Sequence, residues 1–294
     1  SPSILESSEL LSKIRKIEIR ARGMSKQLFS GHYSSAFKGR GMTFSEVREY
    51  NFGDETRTID WNVTARFNEP YVKTFEEERE QTVMLIIDVS ASESFGSINQ
   101  TKREYITEVC AVLAFSAISN NDKVGVIFCS DQVEKFIPPR KGKNHILRII
   151  RDLLEFEPQN KGTDLNPGLI QLTHGVKRRC TAFLVSDFIT EGYFNTLKMA
   201  KSKHDIIAIK CFDELEKSLP KIGLAKMYNP ETGEKNWVNT NSKSTQQHYT
   251  NWWNKISAEF DDYCKKTGID QVLLNTNENY TTPLMKVFKR REGK

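Results

Sequence analysis

The chain has 294 residues, 38% of them hydrophobic and 28% charged, and a formal net charge of +5. This suits a globular protein with a core, built as one large domain or two modest ones. The longest unbroken apolar run, Val109–Phe115, is seven residues, against about 20 for a membrane-spanning helix, so no such helix is expected.

The N-terminus lacks a basic stretch followed by an apolar signal core, so secretion by that route is not expected. The five cysteines stand at least 19 residues apart, so no CxxC motif exists. They read as reduced, core-packed thiols of a cytoplasmic protein. Charge is uneven. Lys13 to Arg40 carries eight basic residues and one acid, whereas Glu46 to Glu80 carries ten acids and five basic residues. The basic stretch reads as a solvated helix face. A peripheral membrane contact stays open, and no motif specific for nucleic acid accompanies it.

Residues 8–22 place Leu11, Ile14 and Ile17 on one face, the spacing of an amphipathic helix. Ser25 to Gly41 reads as loop. Residues 70–80 look extended and then acidic. Arg57 and Asp60 are expected to pair, with Trp61 packing on the following domain as a clamp for the N-terminal segment.

From residue 82 the pattern changes. Val83 to Ile87 is continuously apolar and ends in Asp88, the mark of a strand buried on both faces. A helix is predicted over 102–119, a buried strand over 124–129, and an edge strand over 133–138 because of its prolines. Helices over 144–155 and 165–178 precede the strand 181–186, which ends in Asp187. A helix over 192–202 and a strand over 206–212 follow. Alternating strands and helices predict an α/β fold with a doubly wound, mostly parallel sheet flanked by helices. A hairpin is then expected within residues 222–239, around the turn Asn229-Pro230-Glu231-Thr232-Gly233. A helix over about 244–266, a last strand over 271–274 and a short helix near 284–288 complete the chain. The expected organisation is an N-terminal helix and extended segment, residues 1–80, packed on an α/β domain of residues 81–294, with the hairpin as an insertion.

The stretch Asp88-Val89-Ser90-Ala91-Ser92 carries the most chemical information. Residues i, i+2 and i+4 of an extended chain share a side, so one carboxylate and two hydroxyls are presented together. They stand at the carboxyl edge of the sheet, where doubly wound folds bind ligands at the reversal of strand order. In the common order the first and fourth strands flank that reversal, which sets Asp88 and Asp187 across one crevice. Gly162-Thr163-Asp164 opens a helix between them in sequence and offers a third hydroxyl. Such hard oxygen donors suit magnesium, or another divalent cation such as manganese or calcium.

The pattern Asp88-x-Ser90-x-Ser92, Thr163, Asp187 resembles the metal-ion-dependent adhesion site (MIDAS) of von Willebrand factor A domains. The stretches GRGMTFSEVREYNFGDETRTIDWNVTAR, Gly39 to Arg66, and PYVKTFEEERE, Pro70 to Glu80, resemble the hallmark of one branch. That branch is the bacterial domain of unknown function fifty-eight, which includes proteins of aerotolerance-type operons. The resemblance covers about residues 35–290. It implies a von Willebrand factor A-like fold in which Ser90, Ser92 and Thr163 contact the metal through hydroxyls. Asp88 and Asp187 bind the ion directly or through water, and a partner's Asp or Glu fills an open position. It further implies a MoxR-type AAA+ ATPase, and other von Willebrand factor A-type proteins, as partners of a non-enzymatic adaptor in complex assembly or stress tolerance. The alternative is a metal-dependent phosphoester hydrolase using the same acids. Such an enzyme needs a base or nucleophile near the metal, and none of His32, His145, His174, His204 and His248 adjoins the strand-end acids in sequence.

Overall fold

Runs of β-branched and aromatic residues with no polar alternation can only be strands covered on both sides. Such runs build the centre of this protein. The computed structural model describes residues 4–29, 36, 42–77, 80–90, 96–97, 100–157, 162–228 and 235–292. In chain order the elements begin with α1 (Ile4–Phe29), β1 (Met42–Glu49), α2 (Trp61–Phe67), β2 (Tyr71–Glu77), β3 (Thr82–Asp88) and α3 (Lys102–Ser119). Then come β4 (Lys123–Cys129), β5 (Val133–Arg140), α4 (Lys143–Glu155), α5 (Asn166–Gly175), β6 (Thr181–Ser186), α6 (Phe194–Lys203) and β7 (Asp205–Phe212). The chain continues through β8 (Leu224–Tyr228), β9 (Lys235–Asn239), α7 (Lys243–Thr267), β10 (Asp270–Asn275) and α8 (Thr281–Glu292).

The main sheet has the order β10-β7-β6-β3-β4-β5. All its pairings are parallel except that of β5 with β4, so the proline-bearing strand Val133–Arg140 is an antiparallel edge, as its sequence predicts. The expected doubly wound α/β sheet is therefore the one formed. Strand order reverses between β3 and β6, which are direct neighbours with Ile87 opposite Val185.

Side chains alternate across β3. Val83, Leu85 and Ile87 join a core with α1, α3, α4 and α8, while Met84 and Ile86 face α5, α6 and α7. Helix α3 is buried nearly all round because α1 covers its outer side with Ile14, Ile17 and Ala21. This explains its apolar sequence, in which no polar face survives. Helix α1 runs on through Phe29, where a loop is expected from Ser25. Ser25 is buried there, its hydroxyl 3.3 Å from that of Ser116 on α3, and this tertiary contact outweighs the weak local propensity. The basic face of α1 meets acids: Lys13 lies 3.2 Å from Glu104 and Arg20 3.5 Å from Glu108.

Residues 42–77 form a two-stranded antiparallel ribbon of β1 and β2, joined by a turn at 56–58 and by α2. One expectation is corrected here. Trp61 does not pack as a buried clamp; it is 69% exposed. Asp60 is also engaged differently: it caps α2 by accepting from the amides of Asn62 (3.0 Å) and Val63 (3.3 Å), and it pairs with Lys73. The physical reason is local. A seven-residue helix with none of its residues buried takes its order from its cap. Phe67 leans on Tyr71 of the same ribbon at 5.4 Å. The second hairpin, β8 with β9, is tied at its base to α7 by Gln246, which donates to the carbonyls of Leu219 and Thr240.

Helix α5 approaches the sheet closely at Gly168. A Cβ there would lie 2.9 Å from Cys129 Sγ and 3.1 Å from Ile86 Cγ2. On an exposed helix Gly→Ala stabilises by about 1 kcal/mol. Here overpacking opposes it, and Gly168→Ala is expected to lower stability by about 1–2 kcal/mol in urea denaturation. Adding Cys129→Ala should recover part of that loss. A stabilised single variant would show that the approach is loose.

Candidate metal centre

Strand β3 ends in Asp88, which is 1% exposed at the carboxyl edge of the sheet. Its carboxylate is held by neutral donors. Oδ1 accepts the Ser90 amide at 3.0 Å, Oδ2 accepts the Ser186 hydroxyl at 2.8 Å, and the Ser90 hydroxyl also bonds to the group. Ser186 is the last residue of the neighbouring strand β6, and its oxygen accepts the Phe188 amide at 3.1 Å. The parallel register that sets Ile87 beside Val185 thus delivers Asp187 next to Asp88.

After Asp187 the chain turns sharply. Phe188 has a φ of +58°, a region that bulky residues rarely occupy. The surroundings compensate: its ring is fully buried and stacks on Phe260 at 4.0 Å. In this turn Asp187 Oδ1 accepts the Ile189 amide at 2.9 Å, while Oδ2 faces the Lys102 ammonium at 3.5 Å.

Lys102, the first residue of α3, is wholly buried. Its Nζ lies 2.9 Å and 3.2 Å from the two oxygens of Glu216. Glu216 closes a capping box with Asp213, returning its carboxylate to the Asp213 amide at 3.0 Å. Asp213 in turn accepts the Thr276 hydroxyl at 2.9 Å.

Two like charges so close strain one another. Burial first, and the Asp187 carboxylate second, push the Asp88 carboxyl up to about 6 from its ordinary 3.8. Asp88 is the deeper of the two, and its hydrogen bonds come from neutral groups. Burial also raises Glu216, against the pull of Lys102.

The structure brings Asp88, Ser90 and Asp187 together. Thr163 belongs to the same carboxyl edge. Its carbonyl accepts the Thr190 hydroxyl at 3.1 Å, three residues beyond Asp187, and the next amide, Asp164, donates to Ser130 O, just past β4. Ser92 lies outside the described residues. Sequence reasoning does not single out Ser186, Lys102 or Glu216. One signal for Lys102 is available: a cation in the first turn of a helix opposes the macrodipole, and only nearby carboxylates offset that.

The donor set fits a divalent cation. Asp88, Asp187 and Glu216 with Lys102 carry a formal charge of −2, and the buried Lys210 of β7, which also acts on Asp187, brings the total to −1, an excess that favours a cation. Carboxylate and hydroxyl oxygens suit a hard ion of the magnesium type. Among the described residues no three His, Cys, Asp or Glu side chains form a metal-holding group, so such a site depends on its hydroxyls. His145 and His204 sit at the opposite edge, against Val124 O and Cys180.

The strain on Asp88 has a measurable consequence in chelator. Its folded pKa exceeds the unfolded one, so stability present below pH 4 is lost as pH rises through 6. Between pH 4 and 7.5 the stability of Asp88→Asn relative to the wild type should therefore shift by about 2–3 kcal/mol in favour of Asn. Denaturant melts at a series of pH values measure this, and a pH-independent difference would contradict it.

Among solved structures, the conserved hypothetical protein BatB of Bacteroides thetaiotaomicron is 13% identical with a TM-score of 0.43, covering 73% of this chain and 100% of that one. The VWA domain of SpRpn10 is 15% identical with a TM-score of 0.39, covering 69% and 93%. An uncharacterized protein of Mycobacterium tuberculosis is 25% identical over 232 residues, 78% of this chain and 73% of that protein. The uncharacterized protein YeaD of Bacillus subtilis is 27% identical over 109 residues, 37% of this chain and 25% of YeaD. The family described as protein of unknown function DUF58 matches residues 46–258, and the chain belongs to it.

Proposed function

We propose that this protein is a non-enzymatic, metal-dependent protein-binding module. The observation that carries the reading is the buried pair Asp88 and Asp187 at the reversal of strand order, where with Glu216 three carboxylates outnumber the ammonium groups of Lys102 and Lys210. Asp88, Ser90 and Asp187 would hold a magnesium-type ion, with Thr163 and Ser92 as further hydroxyl donors. When bound, the ion supplies an electrophilic position that an incoming carboxylate can fill. The partner class is then a protein presenting an Asp or Glu. We take it to be a MoxR-type AAA+ ATPase, or another von Willebrand factor A-type protein, which makes this chain an adaptor in complex assembly or stress tolerance.

Charge and placement support binding over hydrolysis. His145 and His204 stand at the amino edge of the sheet, His174 lies in the last turn of α5, and His248 is exposed on α7. His145 and His204, at the amino edge, are not placed as general bases for a water at the Asp88 edge. No helix among the described residues is long and apolar enough to cross a membrane.

Asp88→Ala should abolish partner binding and leave the fold intact, because it deletes an ion anchor and little core area. The measurement is pull-down of a MoxR-type ATPase from the same organism. It compares wild type with magnesium, wild type with chelator, and Asp88→Ala with magnesium. Recovery is expected only in the first, since a partner carboxylate left facing Asp187 without an ion costs several kcal/mol. Equal recovery in all three would remove the ion from the mechanism. Release of nitrophenol from p-nitrophenyl phosphate with manganese, abolished in Asp88→Ala, would favour the hydrolase instead.

A further inference from the structure

Lys102 is the unusual group in this site. A fully buried ammonium is costly unless paired, and here it has two carboxylate partners on different elements. The distances are unequal: Glu216 holds it at 2.9 and 3.2 Å, and Asp187 stands at 3.5 Å. The ammonium is thus anchored on Glu216 and leans on Asp187. The Asp187 oxygen it leans on is Oδ2, because Oδ1 is committed to the Ile189 amide. An ion that takes Oδ2 therefore meets the ammonium directly.

We propose that Lys102 is an internal competitor of the divalent cation for Asp187, and that Glu216 is the carboxylate that retains the ammonium when it yields. This deepens the metal-binding reading and rests on it. Metal-free, the ammonium partly neutralises Asp187. With an ion at Asp187, its double charge repels the ammonium that stands against the same carboxylate, and Lys102 moves wholly onto Glu216.

The exchange reaches beyond the site. Glu216 lies in the turn at 214–217, whose box with Asp213 is pinned to β10 by Thr276. The Glu216 carbonyl also accepts the Tyr249 hydroxyl of α7 at 3.0 Å. Ion binding is thereby linked to the segment that leads into the β8–β9 hairpin, on which Leu224 and Trp237 are exposed. Lys102 and Glu216 are positioning residues: neither needs to touch the ion.

The test is calorimetric titration of the full chain with magnesium, repeated with manganese followed by electron paramagnetic resonance. The variants are wild type, Lys102→Met, Glu216→Gln, the double variant and Asp88→Ala. Lys102→Met should bind the ion about tenfold more tightly or better, and Glu216→Gln should bind it several-fold more weakly. Simple field effects predict the same two signs, so the double variant decides. Under competition Glu216→Gln has no further effect once Lys102 is gone, whereas independent charges give additive shifts. Unchanged or weaker binding in Lys102→Met, or additivity in the double variant, overturns the inference. If Lys102→Met does not fold, unweakened binding in Glu216→Gln overturns it alone. Wild-type binding that is lost in Asp88→Ala but unmoved in the other variants leaves the metal site standing and removes only the competition. Absence of binding in every variant overturns both.

Discussion

Two carboxylates end neighbouring parallel strands, and the cost of holding them there conditions the rest of the site. Asp88 and Asp187 are adjacent because β3 and β6 pair in register at the reversal of strand order. The connections that follow these strands lead to opposite faces: α3 joins the core with Val83 and Leu85, and α6 joins the one with Met84 and Ile86. Doubly wound sheets bind their ligands at such a reversal. Hydrophobic burial of the strands supplies the energy that keeps two like charges together, and the nearby groups moderate the repulsion. Ser90 and Ser186 donate to Asp88, and Lys102 stands against Asp187. Phe188, in its left-handed conformation, aims the second acid.

The sheet was legible in the sequence because its signals are one-dimensional. Val83 to Ile87, Val124 to Cys129 and Ile206 to Ile209 are apolar without alternation, and only strands covered on both sides read that way. The prolines of Val133–Arg140 marked the edge. The strand-end acids followed from the same runs, since a polar residue after a buried strand has reached the rim. The helix α3 was legible too, although its apolar character all round already implied a second cover that only α1 reveals.

What stayed hidden depends on pairs far apart in sequence. Lys102 and Glu216 are separated by 114 residues, and each alone reads as an ordinary solvated charge. Ser186 looked like the end of a strand and serves as a donor to a carboxylate 98 residues away. Residues 70–80 read as extended, but their partner β1 escaped assignment because these charged strands carry little hydrophobic signal, with Val72 the buried apolar residue of the ribbon among those described. Trp61 misled because a large aromatic beside an ion pair usually means packing. Here the short helix that carries it is ordered by the Asp60 cap, and the indole is left outside.

The distribution of charge separates the two ends of the molecule. Part of the basic charge of α1 is met within the fold: Lys13 and Arg20 face acids of α3, and Arg22 pairs with Glu18 of the same helix. Such exposed pairs stabilise weakly, yet they offset the local excess of positive charge that would otherwise attract polyanions. At the carboxyl edge the opposite holds. Asp88, Asp187 and Glu216 outnumber Lys102 in a buried setting, where solvent cannot relieve the imbalance and a pKa displaced to about 6 records it. Charge compensated within the fold carries structure, and charge left uncompensated under desolvation is where a ligand gains most. By that criterion the carboxyl edge at Asp88 and Asp187 is where the proposed ion gains most.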